Sequence, residues 1–303
     1  MKKMFGITTA MVTPFTDDDK VDYDALAAVT KMLISSGVHC LFPCGTTGEM
    51  FRLSVDERKK AAETIIKTAN GKTPVFMHCG TMNQKDTIEL AQHAESSGAD
   101  GIGVITPVFF GQSRRELEEY FTAVANSVPK LPVYLYNIPQ YSSNDVPVEV
   151  VQNVAKKCPN IIGIKYSYAD PNLTIDYLNI NDGTFSVLHG LDRAMVAFLA
   201  MGCDGVVSGV SCVFPEPFVE GYNAYVSGDL AKAQKLQKTC VKFCDALKRG
   251  SNMSYFKEGL KIRGINAGNM RKPQLDIDKS EITNLKAELE SICKESNINI
   301  SFS

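Results

Sequence analysis

A lysine, Lys165, closes the apolar run in "NIIGIKYSYAD", residues 160–170. Lysine ammonium groups ordinarily stay in water, so an apolar run that ends on one calls for a reason. One reading is structural: the side chain snorkels to solvent or pairs with a carboxylate. The other is chemical. An amine stripped of hydration favours its neutral form and becomes a nucleophile toward carbonyls. Schiff-base formation with a ketone or aldehyde follows, and the iminium then acts as an electron sink. A carbon–carbon bond beta to the nitrogen-bearing carbon can break or form, which is class I aldolase chemistry.

Two further stretches have residue types that suit this chemistry. In "PCGTTGEMFRLS" two glycines flank two hydroxyls, and backbone N–H groups exposed by such a turn suit a carboxylate held by Thr46 and Thr47. The plainer alternative is a tight strand-to-helix loop with satisfied threonines. In "YLYNIP" the phenol of Tyr136 could relay protons as a hydrogen-bonded acid and base. Tyr134 faces the same way by strand alternation, so period does not separate the two; the terminal position favours Tyr136 over a merely packed tyrosine. A metal-dependent aldolase is the rival mechanism and needs about three His or carboxylate ligands. Of four histidines, His39 falls at a strand start and His93 within a helix, leaving only His78 and His189.

These residues need a frame. Strand-like runs occur at 6–10, 40–44, 74–79, 101–106, 132–137, 161–165, 185–190 and 205–209, alternating with amphipathic helical patterns such as "SVDERKKAAETIIKTANG". Ser54 with Glu57 is a capping-box signature, and Gly37, Gly71 and Gly98 stand where helices end. The joint recurs as "SGVHCLF", "SGADGIGV" and "MGCDGVVS". Eight apolar strands alternating with helices predict an α/β (β/α)8 TIM barrel over 1–224, with its chemistry at the C-terminal strand ends. The runner-up, an open doubly wound sheet, lacks a G-x-G-x-x-G turn. Residues 225–303 read as a C-terminal helical segment packed on the barrel, ending in a frayed "SNINISFS".

Composition narrows the function classes. With 44% hydrophobic and 22% charged residues and a net charge of −2, the chain lacks the basic excess that nucleic acid or anionic membranes favour. "MKKMFGITTAMVTPF" fits neither a signal peptide nor a membrane span, and a cytoplasmic protein is expected. Nine scattered cysteines without a C-x-x-C pair read as reduced, buried thiols. No metal or cofactor is expected; Cys240 and Cys244 share a helix face without a histidine to complete a zinc set.

Lys165, Tyr136 and "GTTGE" at three strand ends of an eight-unit chain with a helical tail resemble the dihydrodipicolinate synthase and N-acetylneuraminate lyase family. The resemblance spans essentially the whole chain. It implies that Lys165 forms the Schiff base with pyruvate or another 2-oxo acid, that Tyr136 shuttles protons with Thr46, and that Thr46 and Thr47 bind the carboxylate. Val207 would contact pyruvate through its backbone. Ser167, and Gly190 and Asp192 of "HGLD", match the sialic acid lyase side, where a hydroxyl and an aspartate contact the sugar chain. An aldehyde co-substrate and a homotetramer are implied as well.

The chain also departs from the family pattern. Tyr141 stands where synthases carry the arginine that recognises the aldehyde substrate's carboxylate. Phe109 of "TPVFF" stands where a neighbouring subunit lends a relay tyrosine, a role that Tyr141 or water could fill. Arg193 replaces an acidic residue after Asp192 and could welcome a second acid group, and Gly209 replaces a substrate-contacting serine. The reading is therefore a pyruvate-dependent Schiff-base lyase or aldolase acting on a 2-oxo acid of the 2-keto-3-deoxy sugar type. N-acetylneuraminate lyase, dihydrodipicolinate synthase and a catalytically weak 2-oxo-acid-binding paralogue are the alternatives, and dehydratase chemistry would use the same iminium.

Overall fold

The computed structural model describes residues 1–300. Eight strands form one parallel sheet: β1 Gly6–Ala10, β2 Cys40–Phe42, β3 Phe76–His78, β4 Gly101–Ile105, β5 Val133–Asn137, β6 Ile161–Tyr166, β7 Ser186–His189 and β8 Gly205–Ser208. The order is β2-β1-β8-β7-β6-β5-β4-β3, and β2 meets β3 at a single parallel bridge, Leu41 with Val75. This closes the (β/α)8 barrel. Each expected strand is present, most of them shortened by a residue or two. The 40–44 run stops at Phe42, and Cys44 then takes a left-handed backbone (φ 57°) that opens the turn carrying the two threonines.

The intervening helices are α1 Tyr23–Ser35, α2 Val55–Ala69, α3 Gln84–Ser96, α4 Arg114–Ser127, α5 Pro139–Ser142, α6 Val148–Lys157, α7 Pro171–Leu178 and α8 Met195–Met201. Ser54 and Glu57 do form a reciprocal capping box at α2, and Gly37, Gly71 and Gly98 follow α1, α2 and α3 with positive φ. The tail comprises α9 Pro215–Val226, α10 Leu230–Ala246, α11 Ser254–Ile262 and α12 Lys279–Glu295. Helix α9 runs across the 224/225 junction suggested by the sequence. The frayed ending needs correction: Ile298 and Ile300 pack against the core, because two apolar side chains lose more by exposure than the chain gains by freedom. Residues 301–303 of that segment lie outside the described ones.

Apolar residues on the outer strand faces pack against the helices in the main core. Inside the barrel a second cluster holds Met4, Phe42, Phe76, Tyr134, Leu188 and Val207, and a third above it holds Met50, Ile105, Tyr136 and Ile138. Gly103 makes room for this filling, since a Cβ there would fall 2.4 Å from the Phe42 ring. All nine cysteines are free and buried, and burial pushes thiols such as Cys79 and Cys212 up to about 12, which keeps them unreactive. Among the described residues no helix is long and apolar enough to cross a membrane.

Candidate active site

Lys165 is paired in register with Tyr136 across β6 and β5, so both side chains turn into the barrel mouth together. Lys165 is only 5% exposed, and its Nζ lies 3.8 Å from the Tyr136 ring centroid and 4.9 Å from that of Phe42. Among the described residues it has no carboxylate partner. The structural reading of this lysine, snorkelling or pairing, therefore fails on both counts. Its amine rests on aromatic faces.

The two barrel tyrosines separate cleanly. Tyr134 sits in the lower layer, where its hydroxyl accepts from Met4 N (3.0 Å) and donates to Ser186 Oγ (2.8 Å). Burial drives its phenol well above the ordinary range, so it is a packed, structural group. Tyr136 Oη lies 3.2 Å from Thr46 Oγ1, beside the amine of Lys165. Tyrosine and threonine thus form a hydrogen-bonded pair that can pass a proton between them.

Thr46 and Thr47 belong to a turn folded on itself, with Glu49 N donating to Thr46 O (3.1 Å) and Met50 N to Gly45 O (3.2 Å). Thr13 Oγ1 donates to Gly48 O at 2.8 Å. Beneath the turn, Glu49 pairs with Lys257 (2.8 Å) and Arg52 (2.7 Å). Among the described residues the main-chain N–H groups of Thr46 and Thr47 reach no protein acceptor. A rigid turn that presents unused donors is the arrangement an incoming carboxylate needs.

Every residue singled out for substrate contact lines one cavity of about 500 Å³: Thr46, Thr47, Tyr136, Tyr141, Lys165, Ser167, Gly190, Asp192 and Val207. Gly190 is there for space, since a Cβ would meet Ser167 Oγ at 1.9 Å. Asp192 Oδ2 accepts from Val210 N (3.2 Å), whereas Oδ1 is buried with no hydrogen-bond partner. Burial raises this carboxyl to about 6, against opposing hydrogen bonds and the charge of Lys165. Phe109 instead stands 74% exposed outside the cavity, stacked edge-on against Phe110 with a strained φ of 79°.

The two histidines left as metal candidates are turned to other work. His78 Nδ1 contacts Cys44 O (3.0 Å) and Arg58 Nη2 (3.3 Å), and burial together with Arg58 and Lys165 holds it well below the usual imidazole range. His189 is stacked on Phe198 and pushed down to about 3 by burial. Among the described residues no group of three His, Cys, Asp or Glu is placed to hold a metal ion.

Sequence reasoning missed four contributors. Phe42 supplies the ring beside the lysine, and Arg249, Met253 and Phe256 reach the cavity from the helical tail. Alternation from Cys44 back along β2 could have found Phe42; nothing local to the tail marks it as part of a barrel mouth.

Comparison with known proteins decides the family. Residues 3–292 match the dihydrodipicolinate synthetase family. The chain belongs to that family. A DapA-like lyase of Halobacterium salinarum, itself uncharacterised, is 33% identical over 94% of this chain and 93% of its own length. A 4-hydroxy-tetrahydrodipicolinate synthase of Mycolicibacterium paratuberculosis is also 33% identical, over 93% of each chain. Among solved structures, YagE, a prophage protein of the dihydrodipicolinic acid synthase family from E. coli K12 crystallised with pyruvate, superposes with a TM-score of 0.90. It shares 32% identity and covers 96% of this chain and 99% of its own. Membership makes the chain an enzyme, a class I, pyruvate-dependent, Schiff-base aldolase or lyase.

Proposed function

We propose that Lys165 is the Schiff-base lysine and that the enzyme cleaves or forms a 2-oxo acid of the 2-keto-3-deoxy sugar type. The observation that carries the reading is the buried, carboxylate-free Lys165 on the face of Tyr136, whose hydroxyl bonds to Thr46 at the mouth of a cavity. The free amides and hydroxyls of Thr46 and Thr47 hold the C1 carboxylate and so present C2 to Nζ. The amine adds to C2, the carbinolamine loses water, and the iminium forms. In cleavage, Tyr136 takes the C4 hydroxyl proton, the C3–C4 electron pair passes to the iminium, and an aldehyde leaves. Protonation of the resulting enamine at C3 and hydrolysis then return pyruvate and the free amine. Val207 would contact the pyruvyl unit through its backbone.

Ser167, Gly190 and Asp192 extend along the cavity where a polyol chain would lie, which also supports a second reading, N-acetylneuraminate cleavage. Synthesis of 4-hydroxy-tetrahydrodipicolinate, the activity in the name of the mycobacterial relative and the dihydrodipicolinate synthase alternative, is disfavoured by Tyr141, because a phenol cannot give the bidentate carboxylate contact of a guanidinium. The exposed Phe109 and Phe110 suit burial against another subunit, in keeping with a homotetramer.

Borohydride reduction after incubation with pyruvate, read by peptide mass spectrometry, tests the assignment. A single adduct on Lys165 is expected. A folded protein that yields none would remove the lysine from the mechanism. With the adduct in hand, pyruvate release from a panel of 2-keto-3-deoxy sugar acids and sialic acid, and pyruvate consumption with aspartate semialdehyde, separates the substrate readings.

A further inference from the structure

We propose that the outer end of the cavity is a second anion subsite, built by Arg193 and Arg249, for a 2-oxo acid with a second carboxylate at its far end. This rests on the reading of Lys165 as the Schiff-base residue, and it narrows the substrate class within that reading.

The two arginines come from separate parts of the chain. Arg193 follows β7 in the turn Asp192–Ala194; Arg249 follows α10 in the turn Lys248–Gly250, where Lys248 and Arg249 both adopt left-handed backbone (φ 53° and 56°). Non-glycine residues persist in that region only where surrounding structure holds them there. Both side chains line the cavity, and both donate to the same oxygen, Asp245 Oδ1, from Arg193 Nη1 and from Arg249 Nε at 2.9 Å. One carboxylate thus orients two guanidiniums and neutralises only one of them. Among the described residues, Nη1 and Nη2 of Arg249 and Nε and Nη2 of Arg193 have no protein acceptor.

The charge of the cavity wall agrees. Its ionisable cations are Lys165, Arg193 and Arg249, against the single carboxylate of Asp192. Pyruvate alone would fill only a small part of about 500 Å³, and its carboxylate is already provided for at Thr46 and Thr47. Planar guanidinium forks with unused donors are the preferred partners of a carboxylate. The absence of arginine at Tyr141 therefore does not leave this enzyme without a means of reading a distal acid; it moves the reader to the β7 turn and the helical tail.

The test is competitive trapping on Lys165 by borohydride, comparing 2-oxoglutarate with 2-oxopentanoate and 2-oxoadipate with 2-oxohexanoate, pairs matched in length and differing in the terminal carboxylate. At least one diacid is expected to half-saturate Lys165 at a concentration about tenfold or more below its matched monoacid. That ratio should fall toward one in Arg249→Met and in Arg193→Met, recover in part in Arg249→Lys, and shrink in the wild type as salt is raised. Equal trapping of both matched pairs by the wild type, or a preference that survives in the Arg193→Met/Arg249→Met double variant, would overturn the subsite while leaving Lys165 in place. No adduct with any 2-oxo acid, pyruvate included, would instead overturn the Schiff-base reading and the subsite with it.

Discussion

Two buried lysines lie close to the same turn, and they differ in one respect. Lys257, from α11, is 1% exposed and salt-bridged to Glu49 at 2.8 Å, with a further bond to Asn269 O at 2.9 Å. Lys165, at the end of β6, is nearly as buried but has aromatic rings in place of a carboxylate. Removing a charge from water is costly unless a partner compensates. The fold gives Lys257 a carboxylate that offsets part of its burial, which still holds its ammonium below the usual range, and among the described residues it gives Lys165 no salt bridge. The first is a structural ion pair, and the second is left unpaired, as the proposed Schiff-base role requires.

Substitution of each lysine would break this comparison most directly. Lys165→Met is expected to abolish turnover and pyruvate trapping while keeping or raising the unfolding midpoint in urea, since it replaces a buried amine that forms no salt bridge by an apolar side chain of similar length. A folded Lys165→Met enzyme with full turnover would end the assignment. Next in size, Glu49→Gln leaves Lys257 buried without its anion and should lower stability by about 3–5 kcal/mol. Lost support for the Thr46–Thr47 turn should also raise the pyruvate concentration needed for trapping. A variant as stable as the parent would show that the pair is not holding the turn.

The same contrast extends to buried groups whose native titration is displaced from its ordinary range. His189, held to about 3, and His78, held well below its usual range, stay neutral in the native state, whereas an unfolded histidine protonates near pH 6.5. Depressed native values mean that their stabilising effect is complete above that pH and is lost as pH falls below it. Each fully linked proton contributes a slope of about 1.4 kcal/mol per pH unit. Asp192, raised to about 6, acts in the opposite sense between about pH 6 and its ordinary carboxyl range. Stability should therefore fall as pH is lowered from 7 to 5, and His189→Phe should flatten the slope in urea titrations. An unchanged slope would mean that this imidazole does not stay neutral when folded.

Phe109→Tyr should have the smallest effect. Tyr136 and Thr46 are already hydrogen-bonded, so the added hydroxyl should change turnover by far less than the ~10²-fold that a working acid–base group supplies. A large gain would show that proton transfer is limited by the missing relay tyrosine.

The barrel was legible because its signals are local and periodic: eight apolar runs, their alternation with amphipathic helices, and glycines at helix ends. The floor of the site was legible because barrel geometry ranks residues by position along a strand, which picked out Lys165, Tyr136, Thr46 and Thr47. Alternation puts Tyr134 and Tyr136 on one face, and terminal position along β5 favoured Tyr136 from the sequence; the structure added the reason, since depth in the barrel ties Tyr134 to Met4 and Ser186 and sets Tyr136 beside the amine. The rim was less legible. Arg249, Met253 and Phe256 belong to a tail whose sequence says helix and turn, without saying against what.

The sequence alone determined the strand count, the caps, the burial of the cysteines and which strand ends carry lysine, tyrosine and threonine side chains, because these follow from nearest-neighbour chemistry and period. The tertiary structure alone decided that Lys165 has no carboxylate while Lys257 has one, that Thr46 meets Tyr136 across 90 residues, and that Asp245 gathers arginines from the barrel and the tail. Those are contacts between segments distant in the chain, and only the closing of the sheet brings them within reach.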